Sequence, residues 1–230
     1  MNIYKAIIFD FDNTLINYNR CEQDALRQTL LTHQIIDDQE KSWNDFWKVY
    51  DPINWSYWDR RHTLTRTELT LFTFRDALHA YLGDNQLADV LAESYWDTFC
   101  NICHFEPGAH DILTYVSSSY RIGMITNGYG ESQRRRLRAC GIDGFFHSLL
   151  ISDEVGVNKP DSLIFEMAIE DLKVSKEQVL FVGDSLNDDY HGAQNAGIDF
   201  CFYNPFGKTI EKEYTPLYHI HDLSQLRMIV

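Results

Sequence analysis

Apolar residues along this chain gather into short, β-branched runs of strand length at 6–9, 122–126, 149–152, 179–182 and 200–203. Between the later runs, stretches near 109–117, 131–140, 161–171 and 187–196 place apolar residues at helical spacing. Strands that are apolar throughout have no polar face to show water, so their alternation with amphipathic helices predicts a parallel α/β sheet covered on both faces. Sheets of that kind bind ligands beyond the carboxyl ends of their strands. Four of the five runs lead there into polar residues or glycine: Asp10, Thr126-Asn127-Gly128, Ser152-Asp153-Glu154 and Gly183-Asp184-Ser185.

One long segment breaks the alternation. From 17 to 104 the pattern is helical only, with helices expected at 20–33, 42–50, 65–82 and 87–103. This predicts a core made of 1–16 and 105–230, with an all-helical subdomain, 17–104, inserted after the first strand. Two crossings, one just after Leu15 and one before Pro107-Gly108, suit a lid that hinges over the strand tips; the alternative is that these helices extend the core.

Composition narrows the class. A chain of 230 residues, 44% hydrophobic and 14% aromatic, is long enough and apolar enough to bury a real core. Its 34 acidic residues against 20 basic ones give a net charge of −14. That surface repels nucleic acid polymers and anionic membranes alike. No apolar run suits a signal peptide or a bilayer span, so a cytoplasmic protein is expected. Five cysteines are an odd count in such a setting, and free thiols are the expectation. The string Cys100-Asn101-Ile102-Cys103-His104 matches a haem-attachment pattern or a redox pair, but its plain reading is two ordinary cysteines near a helix end.

The chemistry starts at Phe9-Asp10-Phe11-Asp12-Asn13-Thr14-Leu15, two carboxylates in the turn that leaves a buried strand. One carboxylate can attack phosphorus to form an acyl phosphate, and a second can protonate the leaving alcohol and then deprotonate water. Acids clustered this way call for a cation, and hard oxygen ligands favour Mg²⁺. Val182-Gly183-Asp184-Ser185-Leu186-Asn187-Asp188-Asp189 supplies further acids after another strand. Thr126, Asn127 and Lys159 bring a hydroxyl, an amide and an ammonium suited to phosphate oxygens.

Taken in order, Asp10-x-Asp12-x-Thr14, Thr126-Asn127-Gly128, Lys159-Pro160-Asp161 and Gly183-Asp184-Ser185-x-x-x-Asp189 resemble the four motifs of the haloacid dehalogenase superfamily. The resemblance spans nearly the whole chain and implies a Rossmann-like core with the helical insertion as a cap. It implies that Asp10 is the nucleophile and a Mg²⁺ ligand, and that Asp12 is the general acid/base and ligates the metal through its carbonyl. It further implies Asp184 as the remaining ligand, Thr126, Asn127 and Lys159 on the phosphoryl group, and Asp189 behind the metal and Lys159. Asp188 is the neighbouring candidate for that last place, with a helix-start acid as its plain reading. An acid at Asp12 favours phosphate ester hydrolysis over dehalogenation, since a departing halide needs no proton, and Asn13 stands where phosphomutases of the family usually carry Gly.

The wording Asp-Phe-Asp-Asn-Thr-Leu and Gly183-Asp184-Ser185-Leu186 is similar to the pyrimidine 5′-nucleotidase and N-acylneuraminate-9-phosphatase branch. A small phosphorylated metabolite, first a nucleoside 5′-monophosphate and second a sugar phosphate, is therefore the expected substrate, for a monomer or dimer. A non-catalytic phosphate-binding protein is the contrasting class, disfavoured by the intact set Asp10, Asp12, Lys159 and Asp184. In the cap, Trp47, Trp55 and Trp58 are candidates to stack a base and Arg61 to meet the substrate, although such rings more often fill a small helical core.

Overall fold

The computed structural model describes residues 3–60 and 63–230. Its first apolar run forms β1 (Ala6–Phe9), whose four side chains are completely buried. Then follow α1 (Tyr18–Thr32), α2 (Glu40–Trp58), α3 (Arg66–Leu82), α4 (Ala88–Asn101), α5 (Ala109–Ser117), β2 (Arg121–Thr126) and α6 (Gly130–Ala139). The rest of the chain carries β3 (Ser148–Ile151), the single turn α7 (Ser152–Val155), α8 (Ser162–Leu172), β4 (Val179–Gly183), α9 (His191–Ala196), β5 (Asp199–Tyr203) and β6 (Tyr218–Ile220). The strands make one sheet in the order β3-β2-β1-β4-β5-β6, with every pairing parallel. This is the parallel α/β sheet expected from the apolar runs, and the Rossmann-like core that the resemblance implies. Phe9 lies level with Met124 of β2 on one side and Val182 of β4 on the other, so these three strands deliver their carboxyl ends to one place.

The chain divides into two compact units, one running to Asn19 and resuming from Cys103 to Val230, the other spanning Arg20–Ile102. In the α/β unit, aromatic side chains lock the sheet to its helices: Phe165 of α8 meets Phe181 of β4 edge-on with ring centres 5.0 Å apart. The chain's exit and return are zipped together there, with Ile16 bridged antiparallel to Phe105, and the Asn17 and Glu106 N–H groups donating to the carbonyls of His104 and Leu15. The helical unit is held by rings at helical spacing, in which Tyr50 of α2 packs on Phe46 and on Phe74 of α3, and Phe74 packs on Tyr95 of α4. Among the described residues no helix is long and apolar enough to cross a membrane.

Four local expectations change. α2 runs eight residues past the expected end at 50, through Pro52, because Tyr57 extends the buried stripe of Trp43, Phe46 and Tyr50; that packing outweighs the lost backbone hydrogen bond. The strand β6 carries little signal, its three residues Tyr-His-Ile being held by pairing to β5 at the sheet edge. The helix expected at 187–196 opens instead as a π-helical turn over Leu186–Tyr190 before α9 begins. The fourth concerns the thiols: Cys103 is bonded to Cys140, while Cys100 is buried in α4. Folding sets Cys103, on the returning segment, beside the last turn of α6, with Cα atoms 5.3 Å apart, a proximity that a separation of 37 residues does not reveal.

Candidate functional site

Asp10 follows the last residue of β1, and its backbone N–H still donates to the Val182 carbonyl of β4, so its position is fixed by the sheet. The chain then turns sharply. Asn13 takes a left-handed conformation, φ 60°, which asparagine tolerates better than most residues, and its side chain accepts from the Tyr18 N–H. That turn presents Asp12 beside the tip of β2.

Lys159 is the centre of the acidic group. Its ammonium, 5% exposed as a residue, donates to Asp10 Oδ1 at 2.6 Å and to Asp189 Oδ1 at 2.7 Å. Asn127 holds the Lys159 backbone from both sides, its amide donating to the Lys159 carbonyl and its oxygen accepting from the Lys159 N–H. The Asn127 side chain thus places Lys159. Asp189 is fully buried and accepts the Ser185 N–H with its other oxygen. Gly183 leaves it that space, since a Cβ there would overlap the Asp189 carboxylate. Asp188, one residue earlier, is only half-buried and its N–H is capped by the Ser185 hydroxyl, so Asp189 is the acid of this pair that joins the cluster.

Asp184 completes the group: oxygens of Asp10, Asp184 and Asp189 lie within 4.8 Å of one another. Burial, opposed by the Lys159 charge and reinforced by repulsion from Asp189, pushes Asp10 up to about 7. Burial together with repulsion from Asp10 and Asp189 pushes Asp184 up to about 8. For Lys159 the two carboxylates outweigh burial and hold the ammonium above its ordinary value. Three carboxylates against one ammonium leave two excess negative charges when all are ionised, and their donors are hard oxygens. That donor set and charge suit a divalent cation such as Mg²⁺.

Asp12 sits in a separate arrangement. Its Oδ1 accepts from Arg136 at 2.6 Å and its Oδ2 from the Gln133 amide at 2.8 Å, and the same amide reaches Thr126 Oγ1 at 2.8 Å. The motif reading gave no part to Gln133 or Arg136. Their signal was the helical spacing of 132, 133, 136 and 137, which puts them on the buried face of α6, whereas Arg134 and Arg135 pair outward with Glu154 and Glu131.

The helical-unit candidates stand differently from one another. Trp47 is half-buried between Trp43 and Tyr50, with ring centres 5.5 and 6.1 Å away, as a core ring would be. Trp58 is half-buried, Trp55 is 50% exposed, and Arg61 lies outside the described residues.

A family model described as haloacid dehalogenase-like hydrolase matches residues 4–197. The pyrimidine 5′-nucleotidase PynA of Streptococcus pneumoniae is 30% identical over 227 residues, covering 97% of this chain and 93% of that protein. A glyceraldehyde 3-phosphate phosphatase of Pyrococcus furiosus is 28% identical, covering 98% and 92%. Among solved structures, the HAD-hydrolase YfnB of Bacillus subtilis, bound to magnesium and described as revealing interdomain movement, superposes with a TM-score of 0.81 at 30% identity, covering 98% of both chains.

Proposed function

Because this chain belongs to the haloacid dehalogenase-like hydrolases and is a phosphoric monoester hydrolase among them, we propose that it releases phosphate from nucleoside 5′-monophosphates, pyrimidine ones foremost, through a phosphoaspartate on Asp10. The observation that carries this reading is the buried Asp10–Lys159–Asp189 group at the strand tips with a second carboxylate, Asp12, two residues beyond the nucleophile.

In this reading an Asp10 oxygen attacks phosphorus while Lys159 and the Thr126 hydroxyl take up charge on the phosphoryl oxygens. Asp12 protonates the departing alcohol and then accepts a proton from the water that hydrolyses the acyl phosphate. Asp10, Asp184 and the Asp12 carbonyl would hold Mg²⁺, with Asp189 beside them. The ion, when bound, supplies the positive charge that lets phosphate approach so many carboxylates. Asn127 serves by fixing Lys159. Selection among esters is assigned to the helical unit, with exposed Trp55 the strongest candidate to stack a base. The same reading puts the enzyme in the cytoplasm, acting on a small metabolite without a nucleic acid polymer or membrane as partner.

A sugar-phosphate phosphatase is the second reading, favoured by the Pyrococcus furiosus relative. Both are tested by phosphate release from UMP, dUMP, dTMP, purine nucleotides and sugar phosphates, with and without a chelator. Preference for pyrimidine nucleotides, lost on chelation and regained with Mg²⁺, is expected. Equal rates on every ester would remove the nucleotide claim, and activity indifferent to chelation would remove the metal.

A further inference from the structure

The carboxylate of Asp12 is gripped at both oxygens by one face of α6, and that grip is built from the inside of the protein. Arg136 is 1% exposed, with its guanidinium lying over the rings of Phe11 and Tyr18 at 4.9 and 5.6 Å. A buried guanidinium is costly unless its charge is met, and here Nη1 meets Asp12 Oδ1 at 2.6 Å. The same Nη1 donates to Gln133 Oε1 at 3.0 Å. With its oxygen committed to Arg136, the Gln133 amide has its NH₂ turned toward Asp12 and Thr126, each at 2.8 Å. The fold reserves the room: a Cβ on Gly128 would come within 2.6 Å of Gln133 Nε2.

We propose that Arg136 and Gln133 are positioning residues for the reaction, holding the Asp12 carboxylate and the Thr126 hydroxyl in one fixed relation so that Asp12 meets the leaving-group oxygen. The inference rests on the reading of Asp12 as the group that protonates the departing alcohol. An unguided aspartate on a turn samples several rotamers, and proton transfer needs one of them within hydrogen-bond reach of the alcohol oxygen. Arg136 fixes the rotamer directly. Gln133 ties that rotamer to the β2 tip. Asp10 and Asp189 are held by Lys159 through hydrogen bonds of their own, so losing the grip impairs protonation of the leaving group while the nucleophile keeps its partner.

The test compares kcat/KM for a nucleoside 5′-monophosphate, whose alcohol needs a proton to leave, with that for 4-nitrophenyl phosphate, whose phenolate leaves without one. For the reference variant Asp12→Asn, and for Arg136→Met and Gln133→Met, the nucleotide value is expected to fall about 30-fold or more while the aryl value falls less than about 5-fold. Gly128→Ala, whose Cβ would displace the Gln133 amide, should show the same imbalance in weaker form, and Arg136→Lys should recover part of the nucleotide rate. Arg134→Met, on the outer face of the same helix, should change neither ester. If removing the buried guanidinium unfolds the chain, Gln133→Met and Gly128→Ala decide the matter. An imbalance in Asp12→Asn with equal losses on both esters in Gln133→Met and Gly128→Ala would overturn the positioning role alone. Equal losses in Asp12→Asn itself would take down the reading of Asp12 and this inference with it.

Discussion

The two units bury polarity in opposite ways. In the α/β unit, Asp10, Asp189, Lys159 and Arg136 are all almost completely enclosed and hydrogen-bonded to one another or to Asp12. In the helical unit the interior is rings and aliphatic side chains, and among the described residues its one deeply buried acid, Glu22 of α1, is met by the Asn54 amide of α2 at 2.8 Å rather than by a cation. Burying charge costs several kcal/mol per ion before partners repay it. A fold that concentrates that cost at adjoining strand tips is maintaining a reactive site, whereas one isolated buried carboxyl is a local burden that packing carries.

Substitutions that break this contrast are expected to act on different observables. Asp10→Asn should lower turnover by about 10⁴-fold or more with the melting temperature nearly unchanged, because Lys159 keeps Asp189. Retained hydrolysis would show that another group attacks phosphorus. Cys140→Ser opens the covalent link from the returning segment to α6, and closing a loop of this length is worth about 4 kcal/mol in the chain-entropy account. Denaturant unfolding should show that loss in the oxidised protein and none after reduction of both forms; equal stability before reduction would contradict it.

Glu22 sharpens the comparison through pH. Burial, followed by repulsion from Asp51, pushes its carboxyl from 4.5 up to about 7. Between those values the unfolded chain gives up the proton while the folded one keeps it. The acid's favourable contribution is therefore complete below pH 4.5 and lost as pH rises through about 7. Glu22→Gln should stabilise the protein at pH 8 by up to about 3 kcal/mol and make no difference at pH 4. A variant no more stable than the parent at pH 8 would show that burial does not raise the Glu22 carboxyl in the folded protein. The smallest effect expected is that of Trp55→Ala, which removes a half-exposed ring: KM for a pyrimidine nucleotide should rise about tenfold with little change for a sugar phosphate. Equal changes for both would remove Trp55 from base recognition.

Much of the α/β unit was legible because its signals are local. Four fully apolar residues before Asp10, and five buried ones before Asp184, announce strands whose tips meet in any parallel sheet that makes them neighbours. What the chain hid depends on contacts distant in sequence. The edge strand β6 exists because β5 pairs with it, α2 survives Pro52 because other rings pack on its face, and Cys103 finds Cys140 only after folding. Asp188 and Asp189 are chemically alike, and only the π-helical turn decides that Asp189 points inward. Arg136 stands in a run, Arg134-Arg135-Arg136 with Arg138, that reads as a helix face with one visitor to a ring or a phosphate, and it is the register of α6 that makes Arg136 the visitor, over Phe11 and Tyr18.

The account depends on carboxylates from β1 and β4 sharing one divalent ion. Calorimetric titration of Mg²⁺ into the intact protein and into Asp184→Asn tests this directly. One site in the parent, weakened at least about tenfold in the variant, is the predicted result; equal Mg²⁺ affinity in the two proteins would contradict it.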